Sequence, residues 1–313
     1  MIEHLVTGGA GFIGSHLVEA LLGRGDVVHV LDDFSYGHRS NLPLEHPNLR
    51  ILDDDVSNVE RHAPALGGVT RIFHLAALIS GYESLDQAED YFRVNRGGTL
   101  ALIRLCARLE QPRIVFASSS TVYGNRSDPK RAETDVPAPA TVYALTKLIG
   151  EHLLSMYRDR LHYDDTSLRL FNVYGPRQNP THPYANVTCK FSQAAALGLP
   201  VKLYGDGQQT RDFVYVSDVV DVMLRAADGG MKRRVYNVGT GIETSITSLL
   251  ELVQKIADRK LRVEALPAWS NDIRAIRADV SALASDHGFE ARVALAEGLA
   301  KTIGYFRSAQ PLA

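Results

Sequence analysis

Thr7-Gly8-Gly9-Ala10-Gly11-Phe12-Ile13-Gly14 is the stretch on which the fold turns. It follows an apolar, β-branched run, Ile2 to Thr7, and precedes an amphipathic segment from about Phe12 to Gly23. Small residues between a strand and a helix let the backbone approach a pyrophosphate at the helix N-terminus, where free N–H groups and the helix dipole favour an anion. A plain tight turn would use glycines too, so the context decides. The next strand-like run, Val27 to Leu31, ends at Asp32 with Asp33 beside it, eighteen residues beyond Gly14. A carboxylate at that place accepts from ribose hydroxyls and repels a 2′-phosphate, which favours NAD over NADP. Arg39 is the nearby cation that argues the other way.

Outward from this stretch the pattern continues with strands at Arg71 to Leu75, Arg113 to Ala117 and Ser167 to Phe171, and helices near Gly98 to Leu109 and Tyr143 to Tyr157. Apolar runs of four to six residues suit strands buried on both faces of a parallel sheet. The fold class is therefore α/β, a doubly wound parallel (Rossmann) sheet. After Asn172 the rhythm changes to a loop rich in Pro, Asn and Gly, Tyr174 to Tyr184, and then to helices such as Ser248 to Ala257 and Leu295 to Phe306. The expected domains are 1–171, binding NAD, with part of 212–240 returning to it, and 172–313, a smaller and mostly helical substrate lobe. Ligands of such sheets bind at the carboxyl edge.

The 313 residues carry 34 Lys+Arg against 36 Asp+Glu, a formal charge of −2, and no basic run. That balance excludes a surface built for nucleic acid or an anionic membrane. With 45% hydrophobic and 22% charged residues the composition is globular,. No apolar stretch reaches the roughly eighteen residues of a membrane span, and Met-Ile-Glu-His is not a leader, so a cytoplasmic protein is expected,. Cys106 and Cys189 lack partners at zinc spacing and read as buried thiols, with no metal site expected,.

Tyr143 and Lys147 lie four residues apart on a predicted helix, which places phenol and ammonium on one face,. A free phenol titrates near 10, so service as a base at neutral pH needs positive charge nearby, from Lys147 and the cationic nicotinamide. Ala117-Ser118-Ser119-Ser120-Thr121 follows a buried strand and brings hydroxyls to the same sheet edge, able to hydrogen-bond a substrate hydroxyl,.

Taken with the glycine stretch, these motifs resemble the extended short-chain dehydrogenases/reductases, specifically the NAD-dependent nucleotide-sugar epimerases and dehydratases, with UDP-galactose 4-epimerase as the familiar type. Further matches run in order: Asp55-Val56, Phe73-His74-Leu75-Ala76-Ala77, Asn95 before Gly98-Thr99, Val122-Tyr123-Gly124, Arg169-Leu170-Phe171-Asn172-Val173-Tyr174-Gly175-Pro176, and Gly205-Asp206-Gly207 leading to Arg211-Asp212-Phe213. The resemblance implies Tyr143 as acid/base, Lys147 as holder of the nicotinamide ribose, and Ser119 as sharer of the substrate proton. It implies cofactor contacts at Gly8, Gly11, Phe12, Ile13, Gly14, Asp32, Asp33, Asp55, Val56, Leu75, Ala76, Ala77 and Asn95. Substrate contacts would come from Ser119, Ser120 and Thr121 at the sugar, Asn172 and Arg211 at the diphosphate, Asn186, Val187, Lys202 and Tyr204 around the nucleobase, and Asp272 at the ribose.

The reaction so implied is epimerisation of a nucleotide-diphosphate sugar at C4 through a transient 4-keto sugar, with NAD regenerated in each cycle. Related dehydratases and uronate decarboxylases carry Asp or Glu after the catalytic hydroxyl, whereas this chain has Ser120 and Thr121, which favours simple epimerisation,. Trp269 stands where an arginine often reaches the diphosphate; substitution by Arg274, stacking of the indole on a ligand and a plain packing role are the open readings. Ile276 falls at the position limiting sugar size, and Arg177-Gln178-Asn179-Pro180 resembles enzymes acting on N-acetylated or acidic sugars. A UDP-hexose, UDP-N-acetylhexosamine or UDP-uronate is the expected substrate. A 4-ketoreductase would show the same Ser, Tyr and Lys, and a non-catalytic NAD-sensing protein would usually lose the tyrosine. Family members commonly pair as homodimers through the helix after Asn95 and the Tyr143 helix; Leu100, Ile103 and Leu148 are apolar residues compatible with that, and the same pattern would arise if they covered the sheet.

Overall fold

A computed structural model describes residues 1–181, 185–268 and 273–308. Two compact units emerge, the first formed by Met1–Gly124, Val136–Leu170 and Val220–Tyr236, the second by Asn125–Asp135, Phe171–Val219 and Asn237–Ala313.

Seven strands form one sheet, six of them within the first unit, β1 (Glu3–Thr7), β2 (Val27–Asp32), β3 (Leu49–Asp53), β4 (Val69–His74), β5 (Arg113–Ser119) and β6 (Asp164–Leu170), and the edge strand β7 (Val235–Val238), which begins in it. Their order, β7-β6-β5-β4-β1-β2-β3, is that of a doubly wound sheet, and β1 to β6 pair in parallel,. The central strands are apolar and almost fully buried because helices cover both faces,. The glycine stretch opens α1 (Phe12–Gly23), as its pattern predicts. On one face α2 (Gly98–Cys106) and α3 (Val142–Leu161) join a core of Leu102, Ile103, Leu105, Ile114, Phe116 and Leu154. Ile103 is 2% exposed within this core, so of its two expected roles it has that of covering the sheet. Cys106 and Cys189 are free and buried, and burial pushes both thiols up to about 12.

The reversal of direction between β1 and β4 is where the strand order switches, and the loops after β1, β2, β4 and β5 gather at that carboxyl edge,. Gly150 brings α3 down onto the sheet: a Cβ there would lie 2.6 Å from the Phe116 ring.

The second unit holds the helices Val187–Leu197, Ile246–Ala257, Ser281–His287 and Leu295–Ser308. Short strands pair among these helices: Asn172–Tyr174 with Phe213–Tyr215, Val201–Tyr204 with Val263–Leu266, Lys130–Arg131 with Arg277–Ala278, and Thr210–Arg211 with Thr244–Ser245. Among the described residues no helix is long and apolar enough to cross a membrane.

Candidate active site

The glycine turn is shaped by close backbone approach. Gly8 has φ +71°, and a Cβ on it would lie 2.7 Å from the Ala76 nitrogen; one on Gly14 would lie 2.2 Å from the Gly8 carbonyl oxygen. The α1 N-cap, Gly11, offers no side-chain cap, and the first turn carries no acid. Its N–H groups therefore face outward as a site for an anion, with Phe12 and Ile13 half-buried beside them,. Asp32 ends β2 with each carboxylate oxygen accepting one backbone N–H, from Ala10 and Phe34 at 2.9 Å. Burial raises its pKa against those two donors. Asp33 is exposed and accepts from the Ser35 N–H and hydroxyl. Arg39, the argument for a 2′-phosphate, is paired with Asp53 and stacked 4.0 Å above the Phe34 ring.

Other residues expected at the cofactor have structural duties as well. Asp55 accepts from the Ser57 N–H and from Arg93, both at 2.8 Å; burial works to raise its pKa, and those donors outweigh it and hold the carboxyl low. Val56 is buried against Gly98, so its backbone is the part a ligand could meet. Leu75, Ala76 and Ala77 are half-buried after β4. Asn95, in the wide π-helical turn Phe92–Gly97, exchanges two hydrogen bonds with Leu78.

Ser119, Thr121 and Tyr143 are brought together. Thr141 caps α3 by accepting from the Ala144 N–H at 3.2 Å, which sets Tyr143 in the first turn. The Thr121 N–H and hydroxyl both donate to Ser119 Oγ, at 3.2 and 2.9 Å. The Ser119 proton is left free to serve the Tyr143 phenol, whose pKa the serine works to lower. Burial raises the phenol pKa, and Ser119 works against it. Lys147 Nζ donates to the Ala117 carbonyl at 2.9 Å, 6.0 Å from the Tyr143 ring, and burial brings its pKa down to about 7. Ser120 is buried in the short helix Ser120–Tyr123.

A buried ion pair stands below this group, and the motif reading did not single it out. Glu151 lies one turn beyond Lys147 on the same face of α3; its carboxylate takes Arg169 Nε at 3.0 Å and Nη2 at 2.7 Å, and the Ser118 hydroxyl at 2.5 Å. Arg169 covers the Tyr123 ring at 4.8 Å; burial works to lower its pKa, and the Glu151 carboxylate more than reverses that. The available signal was a Tyr-x-x-x-Lys-x-x-x-Glu spacing that puts an acid on the sheet-facing side of the helix.

In the second unit the Asn172 N–H and side chain both donate to the Asp212 carbonyl, at 3.0 and 3.3 Å. Asp212 is fully buried and accepts from Thr240 N–H and hydroxyl, Gly241 N–H and Ala278 N–H. It is a second organising residue, quoted above within a motif but given no role there, and it stands between Arg211 and the apolar run that begins at Phe213. Beside it Arg211 donates to the Thr210 and Ile273 carbonyls. Asn186 caps the helix that Val187 begins, accepting from the Thr188 N–H at 3.2 Å. Lys202 is exposed on its strand, and its charge, after burial, lowers the pKa of Lys190. Tyr204 accepts from Gln209 at its carbonyl. Arg274 makes a bidentate pair with Asp206, which holds that carboxyl down at about 2. Asp272 and Trp269 lie outside the described residues.

A glycine turn that can seat a pyrophosphate, an acid at the end of β2 and a Tyr/Lys helix beside a serine define a nicotinamide-dependent enzyme of the short-chain dehydrogenase/reductase kind. Residues 4–239 match the NAD dependent epimerase/dehydratase family, and the chain belongs to it. It is 40% identical over 318 residues to UDP-glucose 4-epimerase of Mycolicibacterium smegmatis, covering 97% of this chain and 98% of that protein. UDP-N-acetylglucosamine 4-epimerase from Methanobrevibacter ruminantium, solved with UDP-N-acetylmuramic acid, superposes with TM-score 0.93 at 33% identity over 98% of this chain and 99% of that one. UDP-glucose 4-epimerase of Thermus thermophilus, solved with NAD, gives TM-score 0.90 at 36% identity over 99% and 100%.

Proposed function

We propose that this chain inverts C4 of a nucleotide-diphosphate sugar, with a UDP-hexose, UDP-N-acetylhexosamine or UDP-uronate as substrate. The feature that carries the reading is Ser119 acting on the Tyr143 phenol, followed in the chain by the hydroxyls of Ser120 and Thr121 where the related eliminating enzymes carry Asp or Glu. Proton transfer to and from one sugar hydroxyl is then available, while elimination and decarboxylation lack the acid they require. Bound NAD supplies reversible oxidation at the sugar carbon. Tyr143 accepts the C4 hydroxyl proton and later returns it; Ser119 donates to the phenol oxygen and so stabilises its anion. Lys147 moves from the Ala117 carbonyl to the nicotinamide ribose and adds its charge beside the phenol. The turn Gly8–Gly14 seats the pyrophosphate and Asp32 the adenine ribose.

In the same reading Asn172 and Arg211 hold the substrate diphosphate, Asn186, Val187, Lys202 and Tyr204 surround the nucleobase, and Asp272 takes the ribose. Anchoring by the diphosphate keeps the keto sugar in place while it turns its other face. The enzyme acts in the cytoplasm as a homodimer, joined through the outer faces of α2 and α3, where Leu100 and Leu148 are half-buried, Leu145 is 38% exposed and Met156 74% exposed,.

The test is incubation of the purified protein, without added cofactor, with UDP-glucose, UDP-N-acetylglucosamine and UDP-glucuronate, following C4 configuration by NMR. Conversion of any of them is expected. If all three stay unchanged while a 4-keto sugar is reduced at the expense of NADH, the chain is a ketoreductase and the epimerase reading is wrong.

A further inference from the structure

We propose that His74, held in one neutral tautomer, is a positioning residue for the reaction, joining the strand behind the glycine turn to the helix that carries Tyr143 and Lys147. The inference rests on the epimerase reading for its kinetic consequence and on hydrogen-bond direction for its structure.

His74 ends β4 and is 1% exposed. Both ring nitrogens have partners: Nδ1 lies 2.8 Å from Thr7 Oγ1 and Nε2 lies 3.0 Å from Thr99 Oγ1. The direction of each bond follows from the ends of the chain. Thr99 donates its one hydroxyl proton to the Asn95 carbonyl at 2.7 Å, and a carbonyl only accepts,. Thr99 Oγ1 must therefore accept from His74, which puts the ring proton on Nε2. The bare Nδ1 then accepts from the Thr7 hydroxyl, and Thr7 Oγ1 in turn receives the Ala76 N–H at 3.2 Å. A second ring proton would have to be buried beside the Lys147 cation, and desolvation with that charge draws the imidazole pKa down to about 3.

Beyond Asn95 the chain continues without a gap. The Asn95 amide donates to the Leu78 carbonyl and to Thr146 Oγ1, both at 3.0 Å, and accepts the Leu78 N–H at 2.8 Å. Thr146 passes its proton to the Tyr143 carbonyl at 2.8 Å. A fixed line of bonds thus runs from Thr7, at the end of β1, through His74, Thr99, Asn95 and Thr146 to the first turn of α3. It sets the backbone of residues 76 to 78, along which the cofactor would lie, and the rotation of the turn that presents the phenol. Asn95 occupies a π-helical turn, an irregularity often kept at functional sites,.

Thr99→Val keeps the volume and removes the link, and Thr99→Ser restores it. Three measurements on the full-length protein decide the matter. First, ¹⁵N-histidine NMR should show His74 protonated at Nε2 alone and silent between pH 5 and 8; the opposite tautomer, or titration near the ordinary 6.5, overturns the proposal. Second, ¹³Cζ-tyrosine NMR of the NAD-loaded protein should show the Tyr143 titration displaced in Thr99→Val and returned in Thr99→Ser. Third, kcat should fall between about 10- and 100-fold in Thr99→Val with the sugar KM little changed, and recover in Thr99→Ser. A valine variant with the wild-type tyrosine titration and kcat refutes the positioning role. Should the wild-type convert none of the sugars, the two NMR arms still decide the relay, and the functional reading alone fails.

Discussion

Replacing Glu151 by glutamine should cost far more than the change of one atom implies. The carboxylate and the Arg169 guanidinium are only 7% and 5% exposed, so neither charge has water to fall back on. Glutamine turns one acceptor oxygen into a donor. If the nitrogen takes the Oε2 place it confronts Arg169 Nη2, now 2.7 Å away; in the Oε1 place it confronts Nε at 3.0 Å. Either way one charge-assisted bond, worth about 1.5–3 kcal/mol, is lost, and the guanidinium stays buried without a counter-charge. Breaking one side of such a pair costs about 3–5 kcal/mol, a large part of the roughly 5–15 kcal/mol that holds a domain together. Glu151→Leu with Arg169→Met removes both charges and keeps most of the volume. It leaves the Ser118 hydroxyl without its acceptor and Tyr123 without Arg169, so it should sit about 1–2 kcal/mol below wild type,. Urea unfolding of NAD-stripped protein, followed by far-UV circular dichroism, reads both values as midpoint shifts at unchanged m. A glutamine variant within about 1 kcal/mol of wild type, or a double variant as unstable as the two single changes added together, would show that the pair is not the strut described.

The remaining predictions concern the site. Tyr143→Phe should retain NAD and lose turnover by at least about 100-fold; activity near wild type would remove the tyrosine as base. Gly14→Ala puts a Cβ 2.2 Å from the Gly8 carbonyl, so the turn must open, and isothermal titration should find NAD affinity greatly weakened, unchanged affinity being the contrary result. Gly150→Ala forces α3 away from Phe116 at a cost of about 1–3 kcal/mol, and kcat should fall with it; a variant as stable and active as wild type would remove the close helix packing from the account,. Burial lowers Lys147 from its ordinary 10.5 to about 7. Below pH 7 both folded and unfolded chains carry this proton and the cost of burying it is complete, while from pH 7 to about 10.5 the unfolded chain alone holds it. Stability of NAD-stripped wild type relative to Lys147→Met should therefore rise by a few kcal/mol across that window, and a flat or falling difference refutes the buried cation.

The parts of the fold visible in the sequence are those where an apolar run and a strand coincide. The helix Phe12–Gly23 begins and ends where the glycines place it. By contrast β5 runs on to Ser119 and β6 starts back at Asp164, because the backbone ladder pairs Ser118 with Arg169 and Arg113 with Asp164 whatever the side chains are. An apolar run marks only the sandwiched middle of a strand. Leu49–Asp53 was not legible at all: as the edge strand β3 it is buried at Leu49 and otherwise half-buried or exposed, so it carries no continuous run. The short pairs of the second unit, two to four residues long, fall below any periodicity, so only the helices of that lobe are legible in the sequence.

In the site, the groups readable in advance are those whose neighbours are close in sequence. Tyr143 and Lys147 need only a helix, and the glycine stretch only a strand before it and a helix after it. The residues that hold them in place draw partners from far along the chain: Glu151 from Arg169 and Ser118, His74 from Thr7 and Thr99, Asn95 from Leu78 and Thr146. What betrays such residues in a sequence is polarity where the pattern calls for burial, since a buried polar group persists only when it is satisfied. Glu151 on the inner face of α3 and His74 at the end of an apolar strand both meet that description, whereas Asp212 follows Thr210 and Arg211 and only the fold reveals its burial. Their common physical signature, a polar side chain on a buried face, locates the supports of this site as surely as the Tyr/Lys spacing locates its chemistry.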